Sequence, residues 1–332
     1  SNEASRPPVI VLTRGGKTQA LLGGRVDPTQ PVVKFGYLRL PTPMMRLLTF
    51  VHGGLLGSLL DGDAEILVRS VMGGLASGKA DAAMLHCRPI DSPIYRAAAS
   101  LPSFLWADHV TNPQAHRILD LSNVKGAFLA SLPRRERTYQ RQRQRMLLND
   151  FGKKVRIDHF HNIADIDLLM TDAEAVARAS YQRGLGVGFS ATPDTRRRLE
   201  FEANRGWLRG YVLYLDDEPS AFWIGTLSND VFLSVYLGFN PVHGRYSPGS
   251  YLLIKVIEEM CEDPRGAQVA RIDFGIGDAS YKARFGNQSW LESSVYIYAP
   301  TIKGLWVNAL RTFASLTTRM AKAILERGKV LS

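Results

Sequence analysis

Apolar positions along this chain follow two spacings, alternate residues in some stretches and every third or fourth residue in others. Residues 9–13 and 32–40 are valine-rich and alternating, which predicts strands. Residues 45–51 predict another strand, ending in a His52-Gly53-Gly54 loop. A helix over 64–77, a buried strand over 82–87 and a short helix over 92–100 follow. The middle is helical, over 123–130 and 133–149, with Pro133 suited to a first turn and Ser131 to a cap. A strand at 155–161 and helices at 165–182 and 193–203 come next. Strands at 208–215, 220–227 and 231–238 are joined by turns at 216–219 and 228–230. A glycine-containing loop at 240–249, a helix at 250–261, a strand at 269–274 and a short helix from Asp278 then repeat the order of the first half.

Each repeat carries Asp, Tyr and then a basic residue: Asp91, Tyr95 and Arg96 in the first, Asp278, Tyr281 and Lys282 in the second. The recurrence predicts a duplicated α/β unit. The chain closes on an amphipathic stretch. Ile302, Trp306, Ala309, Phe313, Leu316, Met320 and Ile324 fall within about 80° of a helical wheel. Lys303, Arg311, Arg319, Lys322 and Lys329 lie opposite, and Arg327 joins the apolar side.

Composition narrows the class. The 332 residues are 45% hydrophobic and 22% charged, which excludes wholesale disorder. Two cysteines, Cys87 and Cys261, without a CxxC spacing, make no disulfide framework and fit a reducing compartment. The seven histidines form no metal signature; His159 and His161 read as two residues on one face of a strand, and no metal is expected. No secretory signal is visible. The longest apolar run, 47–60, is interrupted and shorter than the roughly 20 residues a spanning helix needs.

Net charge is +10, but it is localised. Residues 131–148 hold six Arg and one Glu, residues 301–332 six Lys or Arg and one Glu, and the rest of the chain sums to zero. Arg134, Arg137, Arg141 and Arg145 form a stripe suited to phosphates of a nucleotide, RNA or lipid, or to solvated pairing with carboxylates. The tail is a cationic amphipathic helix, able to lie on an anionic membrane or to pack on its own domain.

Two loops have chemical content. Residues 273–286 begin at a buried strand end, turn through Gly275 and Gly277, and enter a helix that Asp278 can cap, bringing Tyr281, Lys282 and Arg284 near the strand end. Residues 241–250 join a strand to a helix start, where unpaired N–H groups and the helix dipole suit a phosphate and Arg245 adds charge.

Residues 125–300 resemble the CelD-type branch of the GNAT acyltransferase superfamily. The resemblance rests on Leu-Pro-Arg-Arg-Glu-Arg (132–137), Tyr-Gln-Arg-Gly-Leu (181–185), Gly-Phe-Asn-Pro with Ser-Pro-Gly (238–241 and 247–249), and Asp-Phe-Gly-Ile-Gly with Tyr-Lys (273–277 and 281–282). Such proteins are similar to Fem peptidyltransferases, which carry two GNAT-like modules. The resemblance implies an α/β protein of tandem GNAT-like modules, each a mixed, mostly antiparallel sheet with flanking helices. The expected divisions are a degenerate module over 1–122, an Arg-rich connector over 123–150, the acyltransferase module over 151–300 and the amphipathic helix over 301–332. It implies acyl transfer from acyl-coenzyme A to an amine or hydroxyl of an envelope glycan or lipid precursor.

On this resemblance Arg245, Ser247, Gly249 and Ser250 hold the pyrophosphate with Lys282, Tyr281 protonates the leaving thiolate, and His243 or Asp273 acts as base. The loop is one residue longer and one glycine shorter than the usual pattern, so another acyl donor stays open. So do N-acylation of a sphingoid base, Fem-like aminoacyl transfer from tRNA, and a non-catalytic scaffold in polysaccharide export. The expected location is cytoplasmic, peripheral on the inner membrane through residues 301–330.

Overall fold

A computed structural model describes residues 8–35, 38–122, 124, 128–180, 188–262 and 269–330, without the side chains of residues 52 and 319–330. Its elements are strands β1 (Val9–Arg14), β2 (Lys17–Thr29), β3 (Val33–Phe35), β4 (Leu38–Leu40) and β5 (Met45–Gly57), helix α1 (Asp63–Ala76), β6 (Ala82–Pro89), α2 (Pro93–Ser100) and β7 (Gln114–Asp120). Then come α3 (Phe128–Ser131), α4 (Arg134–Phe151), β8 (Val155–Phe160), α5 (Ile166–Ala179), α6 (Pro193–Asn204), β9 (Leu208–Leu215), β10 (Glu218–Ser228) and β11 (Val231–Phe239). The chain ends with α7 (Pro248–Glu262), β12 (Arg271–Ile276), α8 (Ser280–Phe285), β13 (Gln288–Tyr298) and α9 (Ile302–Val330). The protein is an α/β protein with mostly antiparallel pairing and flanking helices.

Two compact units divide it. One comprises Ser1–Gln114 with Leu291–Ser332, the other Ala115–Trp290. The expected divisions at 122, 150 and 300 differ from this, and the cause is pairing at long range. Strand β13 runs antiparallel to β6, with Val295 opposite Leu85. Val295, Ile297 and Ala299 enter the same core cluster as Phe50, Leu67 and Leu85. The Asn308 amide donates to the carbonyls of Leu105 and Ala107, at 3.0 and 2.8 Å. The last strand and helix therefore complete the N-terminal unit.

In that first unit the strand order is β1-β2-β5-β6-β13, and β5–β6 is the parallel pair. Residues 32–40, expected as one strand, instead contain the antiparallel pair β3 and β4. The expected loop at residues 52–54 is part of strand β5: a register shift beside Gly24 absorbs the extra residues. Gly54 permits it, because a Cβ there would stand 2.8 Å from the Gly23 carbonyl oxygen. Helix α9 also differs from a simple amphipathic packing. Its buried residues include Gly304, Val307, Asn308 and Ala314, while Ile302, Trp306, Phe313 and Leu316 are exposed. Lys303 and Arg311 lie opposite the apolar stripe, as the helical wheel placed them, and face the unit's own carboxylates.

In the second unit the order is β7-β12-β11-β10-β9-β8, again with one parallel pair, β11–β12, joined through a helix. Hairpin β9–β10 turns through Asp216 and Asp217 at φ 55° and 63°, a conformation that aspartate tolerates. Strand β10 is buried on both faces. Phe222 and Ile224 pack with Leu169, Ala173 and Val176 of α5, whereas Ala221 and Trp223 join Leu252, Ile254 and Val256 of α7. Each Phe, Ile, Leu or Val among them contributes about 1.5–3 kcal/mol on burial. Pro133 rather than Ser131 precedes α4, and the Ser131 hydroxyl donates to the Phe128 carbonyl at 2.7 Å. Asp278 likewise does not cap α8, which Ala279 precedes without a side-chain bond. Strands β2, β7 and β13 have no counterpart in the sequence expectations.

Candidate active site

The second unit's parallel pair is short. Strands β11 and β12 register only over Val231–Leu233 and Arg271–Asp273. Beyond this, β11 follows β10 to Phe239 while β12 follows β7 to Ile276, so the two strands part. A bulge sharpens the parting. Ile224 pairs with Tyr236 and Gly225 with Ser234, leaving Val235 between them. Gly225 is required here, because a Cβ would lie 2.4 Å from both the Leu233 carbonyl oxygen and the Phe232 ring.

A cavity of about 540 Å³ occupies the opening. One wall is β11 from Val235 to Phe239, and the other is Ala279, Ser280, Tyr281, Lys282 and Arg284 of α8 and its approach. Ser247, Gly249, Ser250 and Leu253 present the start of α7, and Tyr139 of α4 closes a side. The volume is that of a small-molecule site.

Tyr281 stands where the strands part. Its ring meets Phe274 edge-on at 5.9 Å. Burial pushes its hydroxyl up to about 12, against a smaller opposite pull from its hydrogen bond with Ser234. Ser234 Oγ in turn accepts from Trp223 Nε1 at 2.8 Å. The tyrosine is thus held as a neutral O–H whose position is fixed by a chain of two further groups.

Lys282 Nζ donates to the Ile276 carbonyl at 2.6 Å. Burial lowers its pKa, with Asp273 and Asp278 opposing. The Arg284 guanidinium lies 3.5 Å from Glu136 of α4. Ser247, left-handed at φ 53°, shares a 3.3 Å hydrogen bond with the Tyr139 hydroxyl. That bond, with Arg143 nearby, keeps the Tyr139 hydroxyl below its usual pKa. The Tyr251 N–H bonds back to the Ser247 carbonyl at 3.0 Å, so the α7 helix begins at the cavity edge with its positive dipole end.

Of the residues singled out in the sequence, Tyr281, Lys282, Ser247, Gly249 and Ser250 come together around this cavity. Arg245, His243 and Asp273 are not among its lining residues. The Arg245 guanidinium turns to Asp150 at 3.1 Å and to the Tyr246 hydroxyl. His243 Nδ1 is 2.8 Å from Ser220 Oγ, and its ring packs on Phe151. Asp273 Oδ1 bonds His116 Nε2 at 2.8 Å and the Gly275 N–H at 2.7 Å. The 181–185 motif lies outside the described residues. Tyr139 and Ser234 were not singled out in the sequence. A serine inside the apolar run 231–238 was the one available signal. Among the described residues, no group of three or more His, Cys, Asp or Glu side chains is placed to hold a metal ion.

Residues 134–283, which contain the cavity residues named above except Arg284, match the family profile described as an acetyltransferase (GNAT) domain. That span carries a GNAT-type acyltransferase domain. Solved structures extend the likeness in fold over both units. The C-terminal domain of a protein named as a lysylphosphatidylglycerol synthetase from Agrobacterium fabrum aligns at TM-score 0.52 and 13% identity, over 91% of this chain and 88% of that one. FemX aligns at 0.50 and 10% identity, over 88% of each chain. A tandem GNAT protein from the clavulanic acid biosynthesis pathway aligns at 0.50 and 13% identity, over 89% of this chain and 84% of that one. No curated protein matches the chain.

Proposed function

We propose that the cavity between β11 and β12 transfers an acyl group from acyl-coenzyme A to an amine or hydroxyl of a cell-envelope glycan or lipid precursor, with Tyr281 as the acid. The observation that carries this reading is the neutral, buried Tyr281 hydroxyl at the point where the parallel strands separate. The cavity suits the donor in three respects. Beyond Leu233 the inner edge of β11 no longer pairs with β12, so its backbone groups are available to the amides of an extended donor arm. The start of α7 supplies N–H groups and a positive dipole end for phosphate. Lys282 and Arg284 line the cavity and supply the cationic charge there, whereas Arg245 does not line it.

Chemically, the acceptor nucleophile attacks the thioester carbonyl, the C–S bond breaks, and the Tyr281 proton passes to the departing thiolate sulfur. The nucleophile's proton must go to a base. His243 and Asp273 are engaged elsewhere, so solvent takes the nucleophile's proton and returns one to the Tyr281 phenolate. The CelD-like branch remains our preferred placement within the superfamily, on the 238–249 and 273–282 motifs. Saturating acyl-coenzyme A should raise the melting temperature, because it binds the folded state alone. Absence of a shift with every acyl chain length tried would remove the donor assignment.

A second reading has its own support. Arg134, Arg141 and Arg145 project from α4 exposed, and no ion pair of theirs is found among the described residues. Aminoacyl transfer from tRNA would use such a stripe. It requires RNA binding that weakens steeply with salt and that reversing those three charges abolishes.

A further inference from the structure

Two cations of helix α9, Lys303 and Arg311, are turned inward. Lys303 Nζ lies 2.9 Å from Asp81 Oδ2. The Arg311 guanidinium bonds the Tyr298 hydroxyl, stands 3.7 Å from Asp108 and lies 4.1 Å over the Tyr296 ring. What faces outward is the apolar stripe. Ile302 is 89% exposed, Trp306 54%, Phe313 56% and Leu316 53%. At 100° per residue these four fall within about 80° of the helix circumference. A helix that had spent its apolar face on its own unit would show the opposite.

The β3–β4 hairpin widens the patch. Phe35 stacks on Phe313 with ring centroids 6.1 Å apart and an 18° interplanar angle. Leu38, opposite Phe35 in the hairpin, is 62% exposed. Lys34 and Arg39 are exposed cross-strand partners on the other face of the same hairpin, which adds two cations to it. The sequence of α9 adds Arg319, Lys322, Arg327 and Lys329 against a single Glu326. Apolar patches of this kind mark interaction sites.

We infer that the first unit docks on an anionic lipid surface through the outward face of α9 and the β3–β4 hairpin. Charge selects the partner. A second copy of this chain would bring the same cationic segment against itself, whereas acidic headgroups complement it. An apolar stripe rich in Trp, Phe and Leu, flanked by cations, matches the hydrocarbon–headgroup boundary. Among the described residues no helix is long and apolar enough to cross a membrane, so α9 lies along the surface. This goes beyond the transfer reading and stands independently of it.

The test sediments the full chain with vesicles of phosphatidylcholine containing phosphatidylglycerol, and with phosphatidylcholine alone. The expected result is capture by the anionic vesicles only, weakening as salt rises. Replacing both Trp306→Glu and Phe313→Glu should lower partitioning roughly tenfold or more. Both side chains are exposed, so melting temperature and donor protection should not change; Lys34→Glu with Arg39→Glu provides a second, charge-only variant with weakened capture. Failure to bind anionic vesicles, or undiminished binding by both variants, overturns the inference. So does a concentration-dependent dimer that Trp306→Glu dissolves, since a second copy would then cover the face. Loss of donor protection with vesicle binding intact would instead sink the transfer reading and leave this one standing.

Discussion

Tyr281 illustrates what a single side chain gains from its surroundings. A phenol near its ordinary pKa of about 10 is already protonated at neutral pH. Burial pushes this one up to about 12, which keeps the proton available across the working range. Because the reactive form is the protonated one, Tyr281 introduces no falling limb in kcat below about pH 12. Tyr281→Phe should reduce kcat by about 100- to 10,000-fold while leaving donor affinity unchanged, measurable by steady-state kinetics beside a thermal shift. Ser234→Ala should cost less, and it should move any alkaline limb upward, because the Ser234 bond is what pulls the Tyr281 pKa down. A kcat–pH profile distinguishes this positioning role from simple loss of packing. The residues carrying this chemistry were unequally legible. Tyr281 and Lys282 follow a contiguous strand–glycine–helix motif, and the helix start at 247–250 is likewise local. Ser234 and Tyr139 reach the cavity from separate elements, so no spacing in the sequence ties them to it.

At the scale of elements, two junctions decide the geometry. The first is the β10–β11 bulge. Gly225→Ala places a methyl into the Leu233 carbonyl and the Phe232 ring, at a cost of about 1–3 kcal/mol. The bulge would be forced out of register, so donor binding should weaken together with the melting temperature. The second junction is Asp81, which accepts from the Arg46 N–H at 2.7 Å and from Lys303 of α9 at 2.9 Å. Burial acts to raise its pKa, but these bonds outweigh it and hold the group at about 2. The folded state therefore keeps the charge where the unfolded chain does not. The stabilisation, about 2 kcal/mol, is complete above about pH 4 and is lost as pH falls toward 2. Asp81→Asn should be less stable than the parent at neutral pH, and the gap should close near pH 2 in urea denaturation. Helices α1, α5, α6 and α7 and the 216–219 and 228–230 turns were readable because period and turn chemistry are local signals. Strand β2 carries Gly23, Gly24 and Pro28, and β13 mixes Trp290, Glu292 and Ser293, so neither shows a clean alternation. Their strand character comes from partners, not from their own residues.

For the whole molecule, the informative fact is that the first unit is assembled from both ends of the chain. There β13 pairs with the edge of β6 that faces away from β5. Truncation after Trp290 should leave Leu85 and Phe50 short of their core partners Val295 and Ile297. The N-terminal segment should then be digested rapidly in limited proteolysis, while the segment from Ala115 resists. The duplicated order of elements was visible in sequence. The assignment of the tail to the first unit was not, because Leu85 and Val295 are 210 positions apart and nothing near either one names the other.

That same interleaving sets an order of events during synthesis. Residues 115–290 hold all six strands of the second unit's own pairing apart from Gln114 at one end, so that unit can close while the ribosome is still working. The first unit emerges earlier yet must wait, with the β6 edge open and its apolar side chains partly uncovered, until residues 291–298 are released. The chain's earliest product is thus its last to mature. The interval between these two moments is when a chaperone holding the N-terminal segment would matter most.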